Sequence, residues 1–408
     1  MSNRTVEAYA VRSWIREKLF LGMTFQEYLK SLITPFNIIV ACILCVGIPF
    51  YVWRYLHGLI AVMHPSHDYP WGLFICFGLL GIVPLSATGF IMASAVYLFG
   101  LKEYKPLVRM AILTGFLGYA CAVAFIFTDI GRSWRLPYPM FISFGPQSVL
   151  FLVAWHVALY LSTQFVEFCP AIFEWLGVDR FRRWALVTTI GATIFGVILS
   201  TLHQSALGAL FLIMPGKVHP LWYSPYIPVF FFVSSIWAGL SMIILVAWIC
   251  TKAFRQRADD RFLNSLDNLT VGLGRAASIT LFAYFAIKII GVAHDHHWNL
   301  LATPYGWWFQ LEIFGFVLLP CFLFAQGARY RNVALIRITS IIAVVGVMLN
   351  RLNLSLITFN WNLPHREYPK WTEYVVVITI FTGFILLFRW MVNRMPVLTE
   401  HPQYKDMH

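Results

Sequence analysis

Charge is what this sequence has least of. Of 408 residues only 12% are Asp, Glu, Lys or Arg, while 59% are hydrophobic and the mean hydropathy is +0.71. A soluble domain carries roughly 25% charged residues, so a water-soluble globular fold is excluded and an integral membrane protein is indicated. Cysteine is also scarce. The seven (Cys42, Cys45, Cys76, Cys121, Cys169, Cys250, Cys321) all lie within or at the ends of apolar stretches. There is no C-x-x-C-H haem attachment and no ferredoxin-like run, so the chain brings no covalently held redox centre of its own. The C-x-x-C of Cys42 and Cys45 falls inside an apolar span and reads as incidental. A cleavable signal peptide is not expected either, because the charged, amphipathic start leads into a span too long for a signal core.

Long apolar runs are what the chain has in abundance. About 20 apolar residues cross a bilayer as a helix, and ten such spans are expected: 36–56, 71–100, 108–129, 147–169, 184–206, 228–250, 271–293, 308–326, 334–357 and 373–392. The expected fold is therefore an all-α polytopic membrane protein. It divides into an amphipathic amino-terminal segment at 1–35, a membrane domain at 36–392 and a tail at 393–408. Pro84 and Gly89 predict a tilt or kink in the second span. The short apolar stretch 206–214 reads as an interfacial or re-entrant piece.

The net charge of +12 would suggest nucleic acid in a soluble protein; here its distribution reports topology. Of the 30 Lys and Arg, 21 fall in the termini and even-numbered connections, five in the odd-numbered connections and four within spans. That bias places both termini in the cytoplasm, and no nucleic-acid partner is expected. The odd connections, expected outside, are rich in His, Trp, Tyr and Pro and suit a docking face for a partner. None exceeds about 25 residues, so no separate extramembrane domain is expected there.

Ionisable residues inside hydrocarbon are costly and point by default to protons, ions or a polar ligand. Asp129 ends the third span, and His156 lies ~14 Å below the outer end of the fourth at 1.5 Å per residue. His203 and Gln204 stand in the polar run Ser200-Thr-Leu-His203-Gln204-Ser205, and Asn350, Arg351 and Asn353 lie in the outer third of the ninth span. All map to the outer half. Thr163, Gln164 and Glu167 on the fourth span and Arg275 on the seventh form an inner set, a candidate cytoplasmic proton path. Lys288 and Glu312 read as interfacial. No three-ligand metal pattern stands out.

Asp129-Ile-Gly131-Arg132 resembles the D-x-G-R stretch of the NrfD/PsrC family of membrane subunits. Ser200-Thr-Leu-His203-Gln204-Ser205-Ala-Leu-Gly208 and Asn350-Arg351-Leu-Asn353 are similar to its ten-helix, HybB-like branch, which includes the membrane subunit of quinone-reductase (Qrc) complexes. The resemblance covers essentially the whole chain. It implies two four-helix bundles, about 71–206 and 228–357, with one flanking helix at each end. It also implies a quinone site near the outer face, with menaquinone as the quinone, in a chain that brings no redox cofactor. Electrons would be exchanged with a periplasmic iron–sulfur subunit and further catalytic or multihaem cytochrome subunits in a bacterial inner membrane, in anaerobic respiration. The resemblance matches Asp129 and His203 to the site and Arg351 to its arginine; His156 is added from depth alone. Two electrons and two protons convert a quinone to a quinol, so histidine, which titrates near neutrality, suits the role. A secondary transporter and a di-haem cytochrome b-type anchor stay open as alternatives. The first would show matching broken helices in its two halves, and the second would use His156 and His203 as axial ligands.

Overall fold

A computed structural model describes residues 13–399. Arg4, Arg12, Lys405 and most of the expected tail lie outside the described residues, as does the start of the amino-terminal segment. Ten helices are long and apolar enough to cross a membrane: α1 Pro35–His57, α2 Phe74–Leu98, α3 Lys102–Asp129, α4 Val149–Leu176, α5 Asp179–Leu212, α6 Ile227–Ala253, α7 Asp260–His294, α8 Pro304–Arg329, α9 Val333–Ile357 and α10 Trp371–Arg394. No strand occurs among the described residues, where Val218 and Phe359 form an isolated bridge. With the helices alternating in direction, one membrane face holds the chain ends and even connections, and the far side holds the odd connections.

The helices pack in sequence order within α2–α5 and within α6–α9. α6 also lies on α2 and α5, α9 lies on α6, and α1 packs on α10 at the edge. α1 turns most of its surface outward and buries only Val40, Gly47 and Arg54. The stretch 206–214 is no re-entrant piece, because α5 runs unbroken to Leu212. Nothing there stops a helix: the run Ala206-Leu-Gly-Ala-Leu-Phe-Leu contains no proline, and Gly208 lets α5 approach the start of α6, where a Cβ would sit 2.8 Å from the Ile227 carbonyl. His203 is therefore nine residues below the helix end, about 14 Å by helical rise.

α2 is broken, as its proline and glycine content suggested. It passes through a π-helical turn at Phe74–Leu79, short α segments at Ile82–Leu85 and Thr88–Ala93, and a second π turn at Ser94–Leu98. Pro84 removes an amide donor, and hydroxyls occupy neighbouring carbonyls: Ser86 donates to Ile82 (2.8 Å) and Thr88 crosses to Ala111 of α3 (2.7 Å). At the face of the chain ends, Glu174 of α4 is fully buried between Arg182 of α5 (2.9 Å) and Arg109 of α3 (2.7 Å). Arg394 at the end of α10 donates to the Leu19 carbonyl and to Tyr28, tying the segment before α1 to the last helix.

Two glycines set the depth of the α2–α3–α4 contact. A Cβ at Gly89 would stand 2.4 Å from Gln164 Oε1, and one at Gly115 2.7 Å from it. Overpacking a core costs about 1–3 kcal/mol. Gly89→Leu should lower stability by that amount and displace Gln164; thermal unfolding in detergent checks it, and an unchanged melting curve would show that this contact can open freely.

Candidate functional site

The polar centre of α2–α5 is built from the inward faces of α3, α4 and α5. His203 and Gln204 are wholly buried, as are Tyr119 of α3 and Tyr160 of α4. His203 Nε2 lies 3.2 Å from the Tyr119 hydroxyl, and its ring stacks on Tyr160 at 5.9 Å and 29°. Gln204 donates from Nε2 to the Tyr119 oxygen and to the Val83 carbonyl in the broken part of α2, both at 3.4 Å. With its oxygen accepting from Gln204, Tyr119 can give its proton to Nε2. The imidazole proton then sits on Nδ1, which faces the Leu199 carbonyl a turn below without closing a hydrogen bond of normal geometry. Gln204 Oε1 is likewise buried without a partner.

His156 is half-buried on α4, near enough to His203 for the two imidazoles to interact electrostatically. Its Nδ1 and the neighbouring Trp155 Nε1 are buried without protein partners. Buried polar atoms are normally satisfied, so a group of orphans marks a place for another molecule's polar atoms. The orphans here are an imidazole donor, an amide acceptor, a second imidazole and an indole donor. Such a set fits a carbonyl or hydroxyl on an otherwise apolar ring.

Toward the face of the chain ends, a polar ladder descends α4. Gln164 Nε2 donates to the Tyr160 hydroxyl (2.9 Å) and to Glu167 Oε2 (3.1 Å), and Thr193 of α5 donates to Glu167 Oε1 (2.8 Å). Ser200 sits beside both phenols. Below Glu167 opens a cavity of about 330 Å³, also lined by Arg109, Thr189, Asp259 and Arg261. Gln164 and Glu167 thus belong to one connected set. Thr163 does not join it, since its hydroxyl returns to the Leu159 carbonyl of its own helix (2.9 Å). Arg275 is exposed.

Asp129 is held elsewhere. Arg54, the one charged side chain that α1 buries, donates to the carbonyls of Thr128 (2.5 Å) and Ile130 (2.7 Å) at the end of α3. It thereby caps a helix C-terminus, where a cation is favoured, and stands beside the Asp129 carboxylate, whose Oδ1 has no hydrogen-bond partner. No contact joins Asp129 to His203 among the described residues.

Arg351 and Asn350 lie in a third centre, inside α6–α9. Lys288 and Glu312, read as interfacial from sequence, are buried there at 3% and 1% exposure. Glu312 accepts from Asn350 Nδ2 (2.6 Å), from Trp222 Nε1 (2.7 Å) and from Asn353. Arg351 donates to Asn350 Oδ1 (2.7 Å) and Ser234 Oγ (2.6 Å), and its guanidinium lies 3.7 Å over the Phe231 ring. For Glu312 the misreading came from the span edge, since α8 begins at Pro304, before its apolar core; for Lys288 it came from the neighbouring helices, which cover it with Phe230 and Phe309.

Sequence reasoning missed Tyr119, Tyr160, Thr193, Arg54, Lys288 and Glu312 as site members. The signal for Tyr160 was present: it falls four residues after His156 and four before Gln164, on one helical stripe. Arg54 and Thr193 had no such local signal, because each acts across to another helix.

On the far side, the connection between α5 and α6 buries His219 against Trp222, Tyr305 and Trp361. Burial, reinforced by His297 and Arg366, lowers its pKa to about 4, and it stays neutral at pH 7. A depressed histidine pKa makes the unfolded state bind more protons, so stability falls as pH drops from the ordinary histidine range toward 4. His219→Gln should flatten that fall between about pH 6.5 and 4; unfolding midpoints across pH check it, and an unchanged slope would assign the acid sensitivity to other groups.

Fold and interior together define a polytopic helical membrane protein with buried acid–base groups. Residues 61–358 match the family described as polysulphide reductase, NrfD, and the chain belongs to that family. It is 47% identical to a protein of Nitratidesulfovibrio vulgaris over 381 residues, covering 93% of this chain and 98% of the relative. It is 29% identical to the probable Ni/Fe-hydrogenase 2 b-type cytochrome subunit of Escherichia coli, covering 88% and 90%. It is 22% identical to the menaquinone reductase integral membrane subunit of Nitratidesulfovibrio vulgaris, covering 74% and 76%. Members of this family are membrane subunits of oxidoreductase complexes.

Proposed function

We propose that this chain is the quinone-binding membrane subunit of a respiratory oxidoreductase complex in a bacterial cytoplasmic membrane. It exchanges electrons between a periplasmic-facing iron–sulfur or cytochrome partner and menaquinone. The observation that carries the reading is the buried His203–Tyr119–Gln204 group with its orphan polar atoms and the neighbouring His156. The menaquinone reductase relative supports the substrate class. The Lys and Arg distribution supports cytoplasmic termini, which makes the far side periplasmic. The packing order of α2–α5 and α6–α9 suits the two-bundle division at about 71–206 and 228–357, flanked by the amino-terminal segment 1–35 and the tail 393–408.

The chain's own groups divide the work. Gln204 and Tyr119 fix the His203 ring and its tautomer, so that Nδ1–H is the donor toward a ring oxygen. His156, half-buried on α4, lies where a lipid-soluble ring would arrive from the bilayer. The aromatic walls exclude water, which strengthens each hydrogen bond. Glu167, Thr193, Gln164 and Tyr160 form a proton path from the cytoplasmic cavity toward His203, by which quinone chemistry would be coupled to proton translocation. Asp129, ten residues above Tyr119 on α3, is assigned to proton exchange at the periplasmic side rather than to the ring. Asn350 and Arg351 act in the second half of the molecule.

His203→Ala should lower quinone-linked turnover about 100-fold or more, the usual scale for a general acid–base group, with assembly intact. Glu167→Gln should lower cytoplasmic proton uptake per electron in vesicles while electron transfer continues. Near-normal turnover in the first variant, or a Soret band in the purified chain, would overturn the reading; an unchanged proton ratio in the second would remove the path.

A further inference from the structure

The centre inside α6–α9 does not balance its own charge. Two cations, Lys288 and Arg351, share one carboxylate, Glu312, and all three are buried. Glu312 spends its hydrogen bonds on neutral donors, the two asparagine amides and the Trp222 indole. Arg351 spends its own on Asn350, Ser234 and the Phe231 carbonyl. The Lys288 ammonium rests between the Phe230 ring at 4.7 Å and the Phe309 ring at 5.4 Å rather than on the carboxylate. With all three groups ionised the cluster carries one net positive charge in hydrocarbon, a state that is costly unless relieved. Guanidinium holds its proton in proteins, whereas a buried lysine gives its proton up readily. Relief therefore falls to Lys288.

The surrounding elements supply the other groups that face this centre. α6 contributes Ser234, α7 contributes Tyr284, and α9 contributes Asn350 and Asn353 beside Arg351. Trp222, bonded to Glu312, is packed against His219 in the far-side connection, and His219 touches Tyr305, whose hydroxyl is bonded to Arg366. Polar groups thus lead from Glu312 to the far-side surface. The depth also fits: Tyr119 and Tyr284 each stand ten residues before the last residue of their helix, Asp129 and His294.

We propose that Lys288, Glu312 and Arg351 form a second proton-binding site, separate from the His203 centre, in which Lys288 gains and loses the proton. In the release step an Nζ–H bond breaks with its electron pair left on nitrogen, and the proton passes to water at the far-side connections. The cluster falls from one net positive charge to neutral, and uptake reverses it; no electron moves. The site rests on the quinone reading only for the reaction that drives it.

Lys288→Met and Lys288→Arg separate this role from a structural one. The complex that copurifies with the chain is reconstituted in vesicles carrying a pH-sensitive dye and turned over with the menadione/menadiol couple. If Lys288 exchanges protons, both variants assemble and transfer electrons within about two-fold of wild type, and both move fewer protons per electron. If Lys288 is only a fixed charge, Lys288→Arg restores the full ratio, and the proposal falls. An unchanged ratio in both variants overturns it as well. Should Lys288→Met fail to assemble, Lys288→Arg, which keeps charge and length, still decides between the two outcomes. Near-normal electron transfer in His203→Ala, with fewer protons per electron in both Lys288 variants, would overturn the quinone reading and leave this site standing, so the two readings fail separately.

Discussion

A polar group in hydrocarbon has no water to fall back on, and this one constraint organises the molecule. Each buried donor or acceptor must find a protein partner or forfeit several kcal/mol. The consequences are visible at every scale. Hydroxyls along the broken α2 return to backbone carbonyls, and Glu174 draws two arginines from different helices. Arg54 reaches across from α1 to the end of α3. Where that satisfaction fails, most of the buried orphan atoms gather on α4 and α5, at Trp155, His156, Gln164, Ser200, His203 and Gln204, and there the protein alone does not finish the accounting.

The same constraint explains why α2 is irregular. A helix of uniform α geometry would present every carbonyl to its own amides. Pro84 and the two π turns loosen that pattern, and a loosened carbonyl at Val83 becomes the acceptor that fixes Gln204. Gly89 of α2 and Gly115 of α3 then leave room for the Gln164 amide between the helices. The break in α2, the two glycines and the α4 ladder are one construction, and it positions an amide and an imidazole in the middle of an apolar bundle. π-helical turns recur at Leu311–Leu318 and Asn353–Ile357, where Glu312 and Asn353 enter the second centre.

Much of this was legible in the sequence, for a physical reason. Length and hydropathy fix spanning helices because only a helix satisfies its backbone within one segment, so all ten helices were readable and most differ from expectation only at their ends. Residues whose partners lie on the same helix were also readable, as with Gln164 and Glu167. What could not be read was the choice of partner across helices. Asp129, His203 and Arg351 map to one outer half by sequence, which looks like a shared site while helix ends and lateral positions are unknown; in the structure Asp129 ends α3, whereas His203 stands nine residues below the end of α5. Glu312 seemed interfacial because α8 begins before its apolar window, and Lys288 because its place along α7 does not reveal the aromatic rings of other helices that cover it.

The two halves solve the same problem in opposite ways. Each places a tyrosine at one level of its second helix, Tyr119 in α3 and Tyr284 in α7, and an amide on its last helix, Gln204 in α5 and Asn350 in α9. In the first half the remaining partners are imidazoles, neutral groups with atoms to spare, and the interior can accept the polar end of a guest. In the second half they are a carboxylate, a guanidinium and an ammonium. There Glu312 is saturated by three neutral donors, and the guanidinium binds neutral oxygens and lies over an aromatic face. The Arg351 Nε is left without a partner there, but that vacancy is a donor alone, and the site holds charge of one sign more than the other. Hydrogen-bond vacancy in one half and charge excess in the other are complementary properties: the first receives a molecule, and the second can be discharged only by moving a proton.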